Sequence, residues 1–174
     1  MMQEVILVNK HDEEIGTMEK MNAHLLGMLH RAFSVLIFNS NGKLLLHRRA
    51  LGKYHSEGLW TNTCCSHPSP GEDILEAAKR RLKEEMGIKT SLAPLFSFIY
   101  RAELNNLVEH ELDHVLIGFT NDLPNANPEE VSDFKWMAMH DIEEDIERNP
   151  QDYTAWFKKI ILEYKSAFND ILKP

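Results

Sequence analysis

Gly71-Glu72-Asp73-Ile74-Leu75-Glu76-Ala77-Ala78-Lys79-Arg80-Arg81-Leu82-Lys83-Glu84-Glu85-Met86-Gly87-Ile88 reads as a turn, a helix and a stop in succession. Gly71-Glu72-Asp73 has turn and N-cap chemistry, and Gly87 ends the helix after Met86. Ile74, Ala78, Leu82 and Met86 recur at i, i+4 and give that helix one apolar stripe. On its polar side Arg80–Glu84 and Arg81–Glu85 are i, i+4 pairs. As plain ion pairs they would stabilise the helix by only about 0.2–0.5 kcal/mol each.

The flanking sequence alternates strands and helices without repeats. Val5–Val8 reads as a short strand, and Thr17–Met28 as partly helical around Glu19-Lys20. Phe33–Phe38 and Lys43–His47 read as a hairpin around Asn39-Ser40-Asn41-Gly42. Ala50–Leu59 reads as a loop and Trp60–Cys64 as a strand. Leu95–Glu103 and Glu109–Phe119 read as paired strands around Asn105-Asn106, and Pro124–Pro128 as a loop. Phe134–Met139 reads as a strand and Thr154–Ile171 as one long C-terminal helix. A mixed sheet with helices on both faces follows.

Composition narrows the function. The chain has 174 residues, enough for one domain that buries roughly 70% of its unfolded surface. A net charge of −8 argues against a nucleic-acid partner. No apolar run nears the ~20 residues needed to span a bilayer, and Glu4 in an apolar start without basic residues speaks against a signal peptide. The only cysteines, Cys64 and Cys65, are adjacent. Neighbouring Cα atoms lie about 3.8 Å apart, too close for an ordinary disulfide, so a reduced, cytoplasmic protein is expected. Two basic clusters, Arg48/Arg49/Lys53 and Lys79/Arg80/Arg81/Lys83, either cradle a phosphorylated small molecule or, for the second, form a solvated helix face.

Two further stretches carry reactive groups. In Trp60-Thr61-Asn62-Thr63-Cys64-Cys65-Ser66-His67-Pro68 a thiol and an imidazole share one side of an extended backbone. In Val108-Glu109-His110-Glu111-Leu112-Asp113-His114 two carboxylates share a strand face, continued by Asp113. Together they suggest metal-assisted proton transfer. Cys64, on the other side of the strand, reads as a small buried filler.

The pattern Arg-x3-Glu-Glu-x-Gly-Ile, formed by Arg80, Glu84, Glu85, Gly87 and Ile88 with Glu72 upstream, resembles the Nudix box, whose glutamates hold divalent cations against a diphosphate. Ser66 stands where the box begins with glycine, and Arg81 where a metal-binding glutamate follows the arginine. A cation there would favour holding phosphate over hydrolysing it. With Glu19-Lys20-x3-His24, His30-Arg31-Ala32-Phe33, Arg48-Arg49-Ala50 with Lys53, the Trp60–Pro68 stretch, Tyr100-Arg101-Ala102, Glu109-x-Glu111 and Trp156, the chain resembles the type I isopentenyl diphosphate isomerases from Glu4 to the C-terminal helix.

That resemblance implies an α/β (α+β) fold, a Nudix-like mixed β-sheet sandwiched between helices. It implies a single domain over 1–174, with its core at about 30–140, an N-terminal extension supplying His24 and a C-terminal helix supplying Trp156. It implies interconversion of isopentenyl and dimethylallyl diphosphate through a carbocation, in isoprenoid biosynthesis. His24, His30, His67, Glu109 and Glu111 would hold one divalent ion, Mn²⁺, Zn²⁺ or Mg²⁺. A second ion, Mg²⁺, would join the diphosphate to Glu85 and the Cys65 carbonyl. Lys20, Arg49, Lys53 and Arg81 would neutralise the diphosphate. Cys65, Glu111 and Tyr100 would handle protons, and the Trp156 ring would face the cation. No flavin or nucleotide cofactor is expected, and a monomer is.

Three other readings compete. A Nudix pyrophosphohydrolase would carry glutamate in place of Arg81 and needs no Cys65. A non-catalytic diphosphate binder leaves Cys65, Tyr100 and Glu111 without a purpose. A cysteine hydrolase would need Cys65 and His67, two residues apart, to meet in a catalytic geometry. A histidine taken alone is more often a surface or core residue, and His11, His47, His55, His110, His114 and His140 are read that way.

Overall fold

The computed structural model describes residues 3–169 and Ile171; the ends of the expected 1–174 unit and residue 170 lie outside the described residues. Its centre is a mixed nine-stranded sheet. Strand β1 (Glu4–Val8) pairs with β2 (Glu14–Glu19), and helix α1 (Lys20–Leu26) leads to β3 (His30–Phe38). Next come β4 (Lys43–Arg49), the short β5 (Trp60–Thr61) and β6 (Cys64–Ser66), and α2 (Ile74–Met86). Strands β7 (Leu92–Leu104), β8 (Leu107–Phe119) and β9 (Val131–Ala138) complete the sheet, before α3 (Met139–Arg148) and α4 (Ala155–Glu163).

Strand β3 organises the rest. It lies parallel to β8, with His30 opposite Glu111 and Phe38 opposite Phe119, and antiparallel to β6, with Ser34 opposite Cys65. Side chains of a strand alternate between faces. Phe33, Val35 and Ile37 therefore pack with Cys64, Ala78, Leu82 and Met86 beneath α2. Leu36 and Phe38 pack with Tyr100, Val115, Trp156 and Ile160 beneath α3 and α4. The sheet is thus sandwiched between helices, and Cys64 and Cys65 part to opposite faces.

Several elements differ from the sequence reading. Thr17–Glu19 belong to β2, and the helix starts only at Lys20. The hairpin after Phe38 opens at once: β3 and β4 share the pair Phe38–Leu44, then β4 turns to β9. The Trp60–Cys64 strand is interrupted, because Asn62 and Thr63 use their side chains to bond β3 and β4 carbonyl and amide groups. The C-terminal helix stops at Glu163, and a 3-10 turn, Lys165–Phe168, follows. The α3 helix was not expected; Ile142 and Ile146, one turn apart, bury its inner face. Among the described residues no helix is long and apolar enough to cross a membrane.

Candidate active site

A cavity opens over the α4 face of β3 and runs past β6 to the polar side of α2. His24 reaches it through a reversal of the chain. Glu19 caps α1 by accepting from the Met21 and Asn22 amides, and Gly27 ends it at φ 63°. That positive φ favours glycine at the turn. The turn folds His24 back over the start of β3, bringing its ring within 4.8 Å of the His30 ring. The spacing of six residues, which shares no helix face, is resolved this way.

Three imidazoles and two carboxylates converge there. His24 Nδ1 lies 2.7 Å from the Lys20 carbonyl and His30 Nδ1 2.8 Å from the Met28 carbonyl. Each Nδ1–H is thereby committed outward and each Nε2 turned inward, the arrangement that readies a histidine for a metal. His30 Nε2 stands 3.2 Å from His67 Nε2, and His67 Nε2 2.8 Å from Glu111 Oε1. His24 Nε2 is buried without a hydrogen-bond partner among the described residues, 3.4 Å from Glu109 Oε1.

Electrostatics point to a cation in this cluster. Burial opposes ionisation of Glu111, yet His30 and His67 outweigh it and hold its carboxyl well below the ordinary value. Burial likewise opposes a charged His24, and Glu109 outweighs it in the other direction. The group demands positive charge at its centre, as protons or as a divalent ion that displaces them. His24, His30, His67 and Glu111 present donor atoms close enough to share one ion, and so do His24, His55 and Glu109. The residues fit the metal.

Cys65, Glu111 and Tyr100, the residues expected to handle protons, line the same cavity. Tyr100 lies opposite Glu111 on β7 and donates to its Oε2 at 2.6 Å. Cys65 lies across β3 on β6, with Arg49 Nη1 4.0 Å from its Sγ. Burial pushes the Cys65 thiol up to about 12, Arg49 opposing, so at neutral pH the thiol keeps its proton. Trp156 is buried on α4; its Nε1 donates to Asn62 Oδ1 at 3.1 Å, and the Arg49 guanidinium lies 5.6 Å from its ring.

Lys20, Arg49, Lys53 and Arg81 all line the cavity. Arg81 donates to Glu85 Oε1 at 2.7 Å and lies 3.3 Å from Glu130, while Lys53 pairs with the other Glu130 oxygen. Both cations are therefore spoken for, and an entering diphosphate would compete with Glu85 and Glu130 for them. Burial raises the Glu85 carboxyl, with Arg81 opposing. Arg80 faces elsewhere. It clamps Glu72 through two bonds of 2.7 and 2.8 Å and holds that carboxyl at about 2, bracing the loop before α2.

Three residues escaped the sequence reading. His55, read only as a surface or core histidine, sits with its Nε2 2.5 Å from Glu109 Oε1. Asn62 fixes Trp156 from inside the core, and Glu130 supplies the shared counter-charge. His55 and Glu130 lie in loop or strand-edge positions without periodicity, so no pattern marked them. Asn62 stood within the quoted stretch, but its role depends on α4 returning beside it. His47, read as structural, is buried with Nδ1 3.0 Å from the Thr63 carbonyl.

The NUDIX domain family matches residues 28–157. A Pectobacterium atrosepticum protein named isopentenyl-diphosphate Delta-isomerase is 53% identical over 156 residues, 89% of this chain and 87% of that protein. The chain belongs to the isopentenyl-diphosphate Delta-isomerases of the Nudix family. A family member from Photorhabdus laumondii is 52% identical over 158 residues, 90% of this chain and 89% of its own. Among solved structures, a protein of Deinococcus radiodurans superposes with a TM-score of 0.77 at 19% identity, covering 92% of this chain and 98% of its own. That likeness shows a shared fold and carries no statement of activity.

Proposed function

We propose that this member of the family interconverts isopentenyl and dimethylallyl diphosphate, with Cys65 and the Glu111–Tyr100 pair exchanging protons with the hydrocarbon. The observation that carries the reading is Arg81, a cation at the position of a hydrolytic glutamate, held beside Glu85 and facing the same cavity as Cys65 and Glu111. A hydrolase has no use for a thiol there. Moving the double bond from the 3,4 to the 2,3 position adds a proton at C4 and removes another from C2, the two carbons that flank the cationic C3. Protonating an unactivated alkene gives a tertiary carbocation, so the acid must be strong and the pocket dry.

Strands β6 and β8 flank β3 and turn Cys65 and Glu111 to one face. In this reading the two groups work from opposite walls, one adding and one removing a proton. Tyr100 steadies the Glu111 oxygen it bonds, and the Trp156 face stabilises positive charge on the hydrocarbon. Lys20, Arg49, Lys53 and Arg81 hold the diphosphate. His24, His30, His67, Glu109 and Glu111 would bind a divalent ion, Mn²⁺, Zn²⁺ or Mg²⁺, and Glu85 with the Cys65 carbonyl a Mg²⁺ carried by the substrate. The first ion would supply Lewis acidity to the Glu111 carboxyl. In the same reading the protein is a cytoplasmic monomer of one domain, without flavin, nucleotide cofactor or nucleic-acid partner.

An NMR time course in D₂O with isopentenyl diphosphate, Mg²⁺ and Mn²⁺ tests this. Loss of the exomethylene signal, growth of dimethylallyl product and deuterium uptake are expected. Changes in the phosphorus signals instead would turn the reading to hydrolysis.

A further inference from the structure

Ten residues, Ala50–Leu59, leave the sheet after β4 and return as β5 with no regular structure of their own. They carry Lys53 and, two residues on, His55. The loop depends on three left-handed residues, Gly52, Ser56 and Gly58. Ser56 adopts φ 52° without being a glycine, an uncommon conformation that surrounding contacts must hold.

Those contacts centre on His55. Its carbonyl accepts from Arg49 Nη2 at 3.2 Å, and Ser56 Oγ lies 3.1 Å from its Nδ1. Its ring stands edge-on to Tyr54 at 4.3 Å and to Trp156 at 5.9 Å. Its Nε2 lies 2.5 Å from Glu109 Oε1. With the Ser56 hydroxyl donating to Nδ1, the Nε2–H donates to the carboxylate.

The donor atoms fall into two overlapping groups. His24, His30, His67 and Glu111 lie close together, whereas His55 approaches only His24 and Glu109. His55 thus meets the cluster at its edge, from the loop, with its Nε2 against Glu109 Oε1.

Given a divalent ion in the reading above, we propose that His55 is a positioning residue which couples the Ala50–Leu59 loop to the metal centre through Glu109. By donating to Glu109 Oε1 it directs that carboxylate toward the ion. By the same bond it draws down the loop and with it Lys53, so that a loaded centre presents a formed diphosphate clamp.

Hydrogen exchange of the whole protein with and without Mn²⁺, alongside Mn²⁺ affinity from chelator competition, tests the coupling. In the wild type Mn²⁺ is expected to slow amide exchange across the loop by about tenfold or more. His55→Ala should lose that slowing, weaken Mn²⁺ by roughly 10- to 100-fold, and raise KM more than it lowers kcat. His55→Gln, which keeps an N–H donor, should recover much of both. Loop protection that persists in His55→Ala overturns the proposal, as do Ala and Gln variants that behave alike. The wild-type comparison stands without any variant: Mn²⁺ uptake that leaves loop exchange unchanged overturns the coupling alone. Absence of Mn²⁺ uptake removes the metal reading, and the coupling with it.

Discussion

Tyr100 and Glu111 face each other across the β7–β8 ladder, and the phenol donates to Glu111 Oε2 at 2.6 Å while the other carboxylate oxygen meets His67 at 2.8 Å. The carboxylate is held at both ends, so its direction toward the cavity is set before any ligand arrives. Tyr100→Phe should cut kcat by about 10²-fold or more and leave metal content and KM near wild type. Losing that donor from a buried carboxylate should also cost about 1–3 kcal/mol of stability. Steady-state kinetics, metal analysis and urea melts would separate these effects; an unchanged kcat would take Tyr100 out of the chemistry.

Cys65→Ala removes the thiol from the cavity wall but leaves the β3–β6 backbone pairing. Turnover should vanish, while thermal stability and metal content stay close to wild type. The NMR assay in D₂O together with a thermal melt checks both, and full activity in the variant would exclude the thiol from the mechanism.

Arg81→Glu would bring a third carboxylate against Glu85 and Glu130 in place of their shared partner. Stability should fall by on the order of 2 kcal/mol, and Mg²⁺ should restore part of it by taking over the lost positive charge. KM for the diphosphate should rise about tenfold or more. Melts with and without Mg²⁺ test the first claim, and an unchanged KM would count against a place for Arg81 in the clamp.

His47 sets an acid limit on the fold. Burial lowers it to about 4 from an ordinary 6.5, the Thr63 carbonyl opposing. Its folded value lies below its unfolded one, so the unfolded chain takes up the proton first. Stability tied to His47 is complete above about pH 6.5 and drains away as pH falls toward 4, on the order of 3 kcal/mol in all. Urea unfolding at several pH values in this window should show the slope, and His47→Gln should reduce it, leaving the part owed to His67, which burial also lowers to about 4.

The box helix was legible because its signals are local: Asp73 accepts from the Leu75 and Glu76 amides, and Gly87 takes φ 69° where a side chain would strike Asn125. The same holds for the opposed faces of Cys64 and Cys65, which strand alternation requires. Thr17–Glu19 misled because β2 is a mostly exposed edge strand, without the apolar alternation that marks one. The C-terminal helix read too long because apolar residues continue past Tyr164 into the 3-10 turn. At the site, His24 and His30 meet only through the left-handed turn at Gly27. His55 belongs to the centre only because a loop folds over it. Neither fact is encoded in any spacing.

The pairing of His30 with Glu111 along the parallel β3–β8 ladder has a bearing on how such a protein can change. Every inward group on these strands keeps its side by parity, and a shift of one residue would send Glu109, Glu111 and Asp113 beneath α2. One inserted residue in β8 would thus remove Glu111 from the cavity, and with it the proton chemistry proposed for it, however conservative it looked. The cations proposed to grip the diphosphate stand instead on α1, α2, the end of β4 and a loop, where parity imposes nothing. In the proposed reading, variation in which diphosphate is accepted has room to accumulate there, while the part of the reaction assigned to Glu111 is locked to the ladder.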